Sequence, residues 1–156
     1  MAAIAEKYQS LEEPRFEFVA DALAERPYSA IVQSLAKLFE VAEDTDANDD
    51  VSFGYLLSKG REHLFLQLSM VGPYAILRRL LADGTTVLLD PDRSTLSAFE
   101  RSVTGVLEQA AMTVLGENAL SHPIGLRLFN TTAERVKVYQ ALFSDADALP
   151  WSAVAP

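Results

Sequence analysis

The strongest constraint in this chain is a change in the period of its apolar residues. Up to residue 39 they recur at helical spacing, but from Val51 they alternate, with Val51, Phe53, Tyr55 and Leu57 set against smaller or polar neighbours. A period of two sends successive side chains to opposite faces of a strand, whereas a period near 3.6 gathers them on one side of a helix. Ser58-Lys59-Gly60-Arg61 turns the chain, and Leu64, Leu66, Leu68 and Met70 resume the alternation, leaving His63, Phe65, Gln67 and Ser69 for the other face. The two runs predict a β-hairpin. Gly72-Pro73 interrupts the ladder, because proline has no N–H to donate to it. Tyr74 to Leu81 predicts a third strand, Asp83-Gly84 a tight turn and Thr85 to Leu89 a short fourth strand. The middle of the chain therefore reads as an antiparallel meander.

Helical patterns flank it. Phe16, Val19, Ala20 and Leu23 follow Pro14 at helical spacing, and Arg26-Pro27 closes the run. Ser29 is predicted to cap a second helix carrying Ile31, Val32, Leu35, Leu38 and Phe39, which the polar stretch Glu43 to Asp50 ends. After the meander, Pro91-Asp92-Arg93-Ser94 supplies turn and cap residues. The stripe Leu96, Phe99, Val103, Val106, Leu107, Ala110 and Val114 then predicts a helix up to Gly116. Ile124 to Phe129 predicts a fifth strand, and Thr131 with Glu134 a capping box for a last helix through Val136, Tyr139 and Leu142. The expectation is an α+β fold: an antiparallel β-meander of four to five strands packed with N-terminal, central and C-terminal helices. One domain spans 1–156, with 1–28 as an N-terminal helical extension and 144–156 as a C-terminal tail. At 156 residues, 49% of them apolar, a core can form without a disulfide or a structural metal.

Several chemistries are excluded or left without a carrier. With no cysteine there are no thiolate nucleophiles, Cys-ligated zinc sites or iron–sulfur clusters. Neither G-x-S-x-G nor H-E-x-x-H occurs, and the seven glycines stand singly, so no phosphate-cradling or dinucleotide loop can be drawn. Any imidazole mechanism must use His63 or His122. The reading calls for no cofactor and no metal. No basic start followed by an apolar run marks a secretory signal, and no segment approaches the ~20 apolar residues of a membrane helix. A cytoplasmic location without membrane contact is expected.

Charge is the positive signal. The formal charge is −9, and the first fifty residues carry twelve acids against four bases, which accounts for −8 of it. That balance disfavours nucleic acid, whose phosphates are met by excess Lys and Arg. Asp44-Thr45-Asp46-Ala47-Asn48-Asp49-Asp50 presents alternating carboxylates as a calcium loop does, but Asp49 stands where the sharp turn needs glycine and Tyr55 where a bidentate glutamate is needed. The loop is either a solvated, self-repelling segment or a contact surface. Arg78 and Arg79, adjacent on the third strand, must face opposite sides of it. Trp151, after Pro150 in the tail, either folds back over the sheet or anchors another protein.

In size, acidity and order of elements the chain resembles two broad groups of bacterial proteins over about residues 29–143. One comprises the dedicated secretion chaperones of the type III class, which dimerise and hold an extended segment of an exported protein. The other comprises immunity proteins, which cap a toxin, often a basic nuclease, with an acidic surface. The resemblance lies in element order rather than in a motif, so it carries over no functional residue. The function expected is a noncatalytic protein-binding module that neutralises or holds a specific, basic protein partner. Glu43, Asp44, Asp46, Asp49, Asp50 and Trp151 are the candidate partner-binding residues, and a homodimer stays open. The alternatives are a small cofactor-independent enzyme using His63 or His122, or a self-assembling structural protein.

Overall fold

Gly60 sets the geometry from which the sheet is built. In the structure, a computed structural model that describes residues 1–152, β2 (Ser52–Lys59) and β3 (Glu62–Ser69) pair antiparallel with Lys59 opposite Glu62. The loop is thus Gly60-Arg61, with φ +61° at the glycine and no positive φ at Arg61. A positive φ at the first loop position is the type II′ pattern, whose twist matches that of the strands and which only glycine adopts without strain. β4 (Tyr74–Leu80) and β5 (Thr86–Leu89) extend the meander antiparallel, giving the predicted α+β architecture. Residues 153–156, the end of the expected tail, lie outside the described residues.

Both faces of this sheet are covered. Phe53, Tyr55 and Leu57 stand opposite Leu68, Leu66 and Leu64, and with Leu77 of β4 they bury one face. Helices α2 (Glu17–Glu25), α3 (Ser29–Ala36) and α4 (Ala98–Gln109) pack there through Ala22, Ile31, Leu35, Phe99, Val103 and Leu107. Each fully buried Leu contributes about 2 kcal/mol relative to an exposed one. Ile76 and Val71 face a second apolar cluster with Ile4 and Tyr8 of α1 (Ala2–Tyr8), Leu120 of α5 (Glu117–Leu120) and Tyr139 and Leu142 of α6 (Val138–Leu142). The Tyr8 hydroxyl donates to the Ala141 carbonyl at 2.8 Å, joining the first helix to the last.

Four local expectations are corrected. The central helix stops at Gln109 because Ala111 takes φ +57° and closes a Schellman motif, its N–H bonding the Glu108 carbonyl and that of Met112 bonding Leu107. Thr113–Val114 then forms β6, parallel to the start of β4. No strand forms over 124–129: its backbone groups find separate partners, the Ile124 N–H on Val136 and the Arg127 N–H on Leu11. Thr131 caps nothing; its hydroxyl is buried without a partner among the described residues, and α6 starts only at Val138, where Gln140 Oε1 accepts the Lys137 N–H. Ser29 is the first residue of α3 rather than its cap, and its hydroxyl donates to the Arg26 carbonyl. The sequence reading also missed α1 and the edge strand β1 (Glu40–Glu43), which pairs antiparallel with β2.

The true cap of α4 is Ser97, whose Oγ accepts the Glu100 N–H while Glu100 Oε2 accepts the Ser97 N–H at 2.8 Å. The same carboxylate takes both Nε and Nη2 of Arg79, fixing α4 to β4. Burial opposes the charge of Glu100, which is only 2% exposed, but the bonds from Arg79 and Ser97 outweigh it and hold its pKa below the usual value. Replacing Glu100→Gln should destabilise the protein by about 1–3 kcal/mol, seen as a lower denaturant midpoint, because Arg79 loses its counter-charge at a partly desolvated site. An unchanged midpoint would mean that the pair does not hold the helix.

Candidate functional site

The acidic loop leaves β1 and is moored on β2 by backbone bonds. The Asp44 N–H donates to the Gly54 carbonyl at 2.8 Å, and the Gly54 N–H donates to Thr45 Oγ1 at 3.1 Å. The approach is close enough that a Cβ at residue 54 would sit 2.6 Å from the Asp44 carbonyl oxygen, so the position requires glycine. Asp46 then folds the loop on itself, its Oδ1 accepting the Asn48 N–H and its carbonyl accepting the Asp50 N–H.

At its far end the loop meets two segments distant in sequence. The Val51 N–H donates to the Phe143 carbonyl and the Asp145 N–H to the Asp49 carbonyl, so that Asp50 and Ser144 form an antiparallel bridge. Asp145 Oδ2 accepts the N–H groups of both Phe129 and Asn130 at 2.9 Å, and Asn130 Nδ2 donates to Asp49 Oδ1 at 3.1 Å. Where these segments meet α2 there is a cavity of about 460 Å³. Asp49, Asp50 and Asp145 supply its charge, Phe16, Val19 and Leu23 its apolar wall, and no Lys or Arg among the described residues lines it. Phe129 also lines the cavity and is 84% exposed, its ring 5.5 Å from that of Phe16. Among the described residues it is the most exposed large apolar side chain.

The structure gathers some of the predicted residues here and not others. Asp49 and Asp50 line the cavity, whereas Asp44 and Asp46 are exposed on the loop leading to it. Glu43 lies elsewhere, in a bidentate pair with Arg26 at 2.6 and 2.9 Å, beside a separate cavity of about 230 Å³. Trp151 is half-buried with its ring edge-on to Tyr139, centroids 5.1 Å apart, and it does not line the acidic cavity. Sequence reasoning missed Phe129, Asn130 and Asp145, which no spacing links to the loop.

Electrostatics set Asp50 apart. Burial pushes its carboxyl up to about 6, with Asp46 and Asp49 adding to the rise, against the opposing effects of the Ser144 hydrogen bond and of Arg78. The Arg78 guanidinium lies 4.7 Å from the centre of the Phe65 ring and donates to Gln67 Oε1, and its burial lowers its pKa. The two histidines line different cavities. His63 Nδ1 is 2.9 Å from Ser58 Oγ, beside Arg79 and Glu100, which bind one another. His122 borders an apolar cavity of about 350 Å³ with Ile4, Tyr74 and Leu115. Among the described residues no group of three or more His, Asp and Glu is placed to hold a metal ion, and no helix is long and apolar enough to cross a membrane.

The chain matches no protein-family model, no curated protein and no solved structure. Its geometry is that of an α+β sheet protein with an acidic, apolar-walled recess edged by an exposed aromatic ring.

The folded protein holds the Asp50 proton more tightly than the unfolded chain does, so this group makes stability fall as pH rises from about 4 to about 6. Asp50→Asn removes that component. The variant should gain on the order of 1 kcal/mol at pH 7 relative to wild type, after allowing for screening by solvent, and nothing below pH 4. Denaturant titrations across pH 3.5–8 would show the difference between the two proteins opening with pH; a difference independent of pH would contradict the buried-charge account.

Proposed function

We propose that this chain is a noncatalytic protein-binding module that neutralises a specific basic protein partner by covering it, in the manner of an immunity protein. The observation that supports this reading most is the cavity at the end of the acidic loop, lined by three carboxylates, by no Lys or Arg among the described residues, and by the exposed Phe129. Acids around an apolar recess serve two separable purposes in a protein interface. The field of Asp44, Asp46, Asp49 and Asp50 steers a basic surface toward the site and raises the association rate. A buried aromatic contact then slows dissociation, since few residues carry most of an interface's affinity.

A recess of about 460 Å³ bounded by α2 and three short segments fits a side chain standing out from a folded surface. That favours the neutralising mode over the holding of a long extended segment, which a secretion chaperone performs. The partner is therefore expected to be a folded domain bound at defined stoichiometry.

The test begins with capture of the partner from native lysate, its identification by mass spectrometry and its purification, after which association is followed by stopped-flow at several salt concentrations. Exchanging Asp44, Asp46, Asp49 and Asp50 for Asn should slow association by about tenfold or more at low salt and flatten its salt dependence. Phe129→Ala should leave the association rate near that of wild type and speed dissociation by about tenfold or more. If both variants associate and dissociate like wild type, the interface lies elsewhere and this reading fails.

A further inference from the structure

We propose that the cavity is a receptor for one arginine side chain of the partner, with Asp145 as the residue that receives its guanidinium. This rests on the reading of a basic protein partner, although its test does not require that partner.

The starting point is an unequal carboxylate. Asp145 is 7% exposed and lines the cavity, and its Oδ2 is fully engaged by the backbone N–H groups of Phe129 and Asn130. Its Oδ1 is also buried and has no hydrogen-bond partner among the described residues. Buried acceptors are almost always satisfied, and one left over calls for a donor that the described residues do not supply. A neutral donor would satisfy the oxygen but leave the three carboxylates of the cavity without a cation in its lining. Asp49 and Asp50 line the same cavity and no Lys or Arg among the described residues does, Arg78 acting on Asp50 from outside the lining, so the donor that fits is a cation. A bare metal ion is a poor fit, because no three carboxylates among the described residues converge on one point.

The shape of the recess selects among organic cations. A lysine ammonium is a compact charge, whereas the planar guanidinium donates in several directions and its faces stack on aromatic rings. Here three carboxylates line the recess together with two rings, Phe16 and Phe129, whose centres are 5.5 Å apart. Val19 and Leu23 offer apolar surface to the methylene stem. The arrangement combines a carboxylate for the fork, an aromatic face for the plane and an apolar wall for the chain, which is the chemistry of arginine.

The probe is N-acetyl-arginine methylamide, titrated into the ¹⁵N-labelled full-length protein, with the lysine and citrulline analogues as controls. Arginine should produce saturable shifts in the amide signals of residues 49–51 and 129–130, with a dissociation constant on the order of millimolar. Lysine should bind more weakly, and neutral citrulline should cause no saturable shift. Asp145→Asn keeps an oxygen for the two backbone donors and places an amide NH₂ where the free acceptor stood, so it should weaken arginine about tenfold or more. Phe129→Ala, at a position too exposed to disturb the core, should weaken it by roughly threefold through loss of stacking. Shifts no larger for arginine than for citrulline, or an Asp145→Asn protein that binds arginine as wild type does, would overturn the proposal. Loss of this subsite alongside acid-dependent association with the purified partner would refute the arginine assignment alone. Arginine binding alongside acid-independent association would instead refute the wider function.

Discussion

The register between β2 and β3 is the constraint on which the rest of the molecule depends. With Lys59 opposite Glu62 across a two-residue turn, Leu57, Leu64, Leu66 and Leu68 all reach the face covered by α3 and α4. The same register sends Ser52, Gln67 and Ser69 to the other face, directly opposite or beside one another. A slip of one residue would exchange the two sets and bury polar side chains among the leucines.

That second face explains how the cavity comes to exist. Ser52 Oγ donates to the Phe143 carbonyl at 2.9 Å, Ser69 Oγ to the Leu142 carbonyl at 2.6 Å, and Gln67 Nε2 to Ser52 Oγ at 3.1 Å. These bonds satisfy carbonyls at the end of α6, where the helix leaves them without internal partners. They also fix the chain direction at Phe143, so that Ser144 and Asp145 run antiparallel to Asp49 and Asp50. Asp145 in turn holds the 129–130 turn through its Oδ2. Strand register, a row of buried hydroxyls, the docked C-terminal segment and the acidic recess are successive consequences of one alternation in the sequence.

Where periodicity was long and the turn chemistry explicit, the sequence was legible. The alternation from Phe53 to Leu68, the glycine of each hairpin and the stripe of Phe99, Val103 and Leu107 all correspond to observed elements, whereas Val51 precedes the strand and packs in the second cluster. Legibility failed where tertiary contacts overrode local signals. Ala111 ends α4 in a left-handed conformation that favours glycine, so no sequence mark announced the stop. Residues 124–129 have the apolar content of a strand but no neighbour offering a continuous edge. The site was half visible: a run of aspartates is plain in the sequence, but the pairing of Asp50 with Ser144 across more than ninety residues is not. In the sequence Asp145 is one acid in the segment after the last helical pattern. Its importance arises from burial and from having one oxygen used and the other free, which only the fold reveals.

The central claim is that partner binding occurs at the junction of the acidic loop, the 128–130 turn and the segment after α6. Hydrogen exchange of the purified complex, compared with the free protein peptide by peptide, tests it most directly. The account predicts new protection concentrated in residues 46–51, 128–130 and 144–146, with the edge strand β1 and the surroundings of His63 and His122 exchanging as in the free protein. Protection centred on β1 or on either histidine, with the junction unchanged, would contradict it.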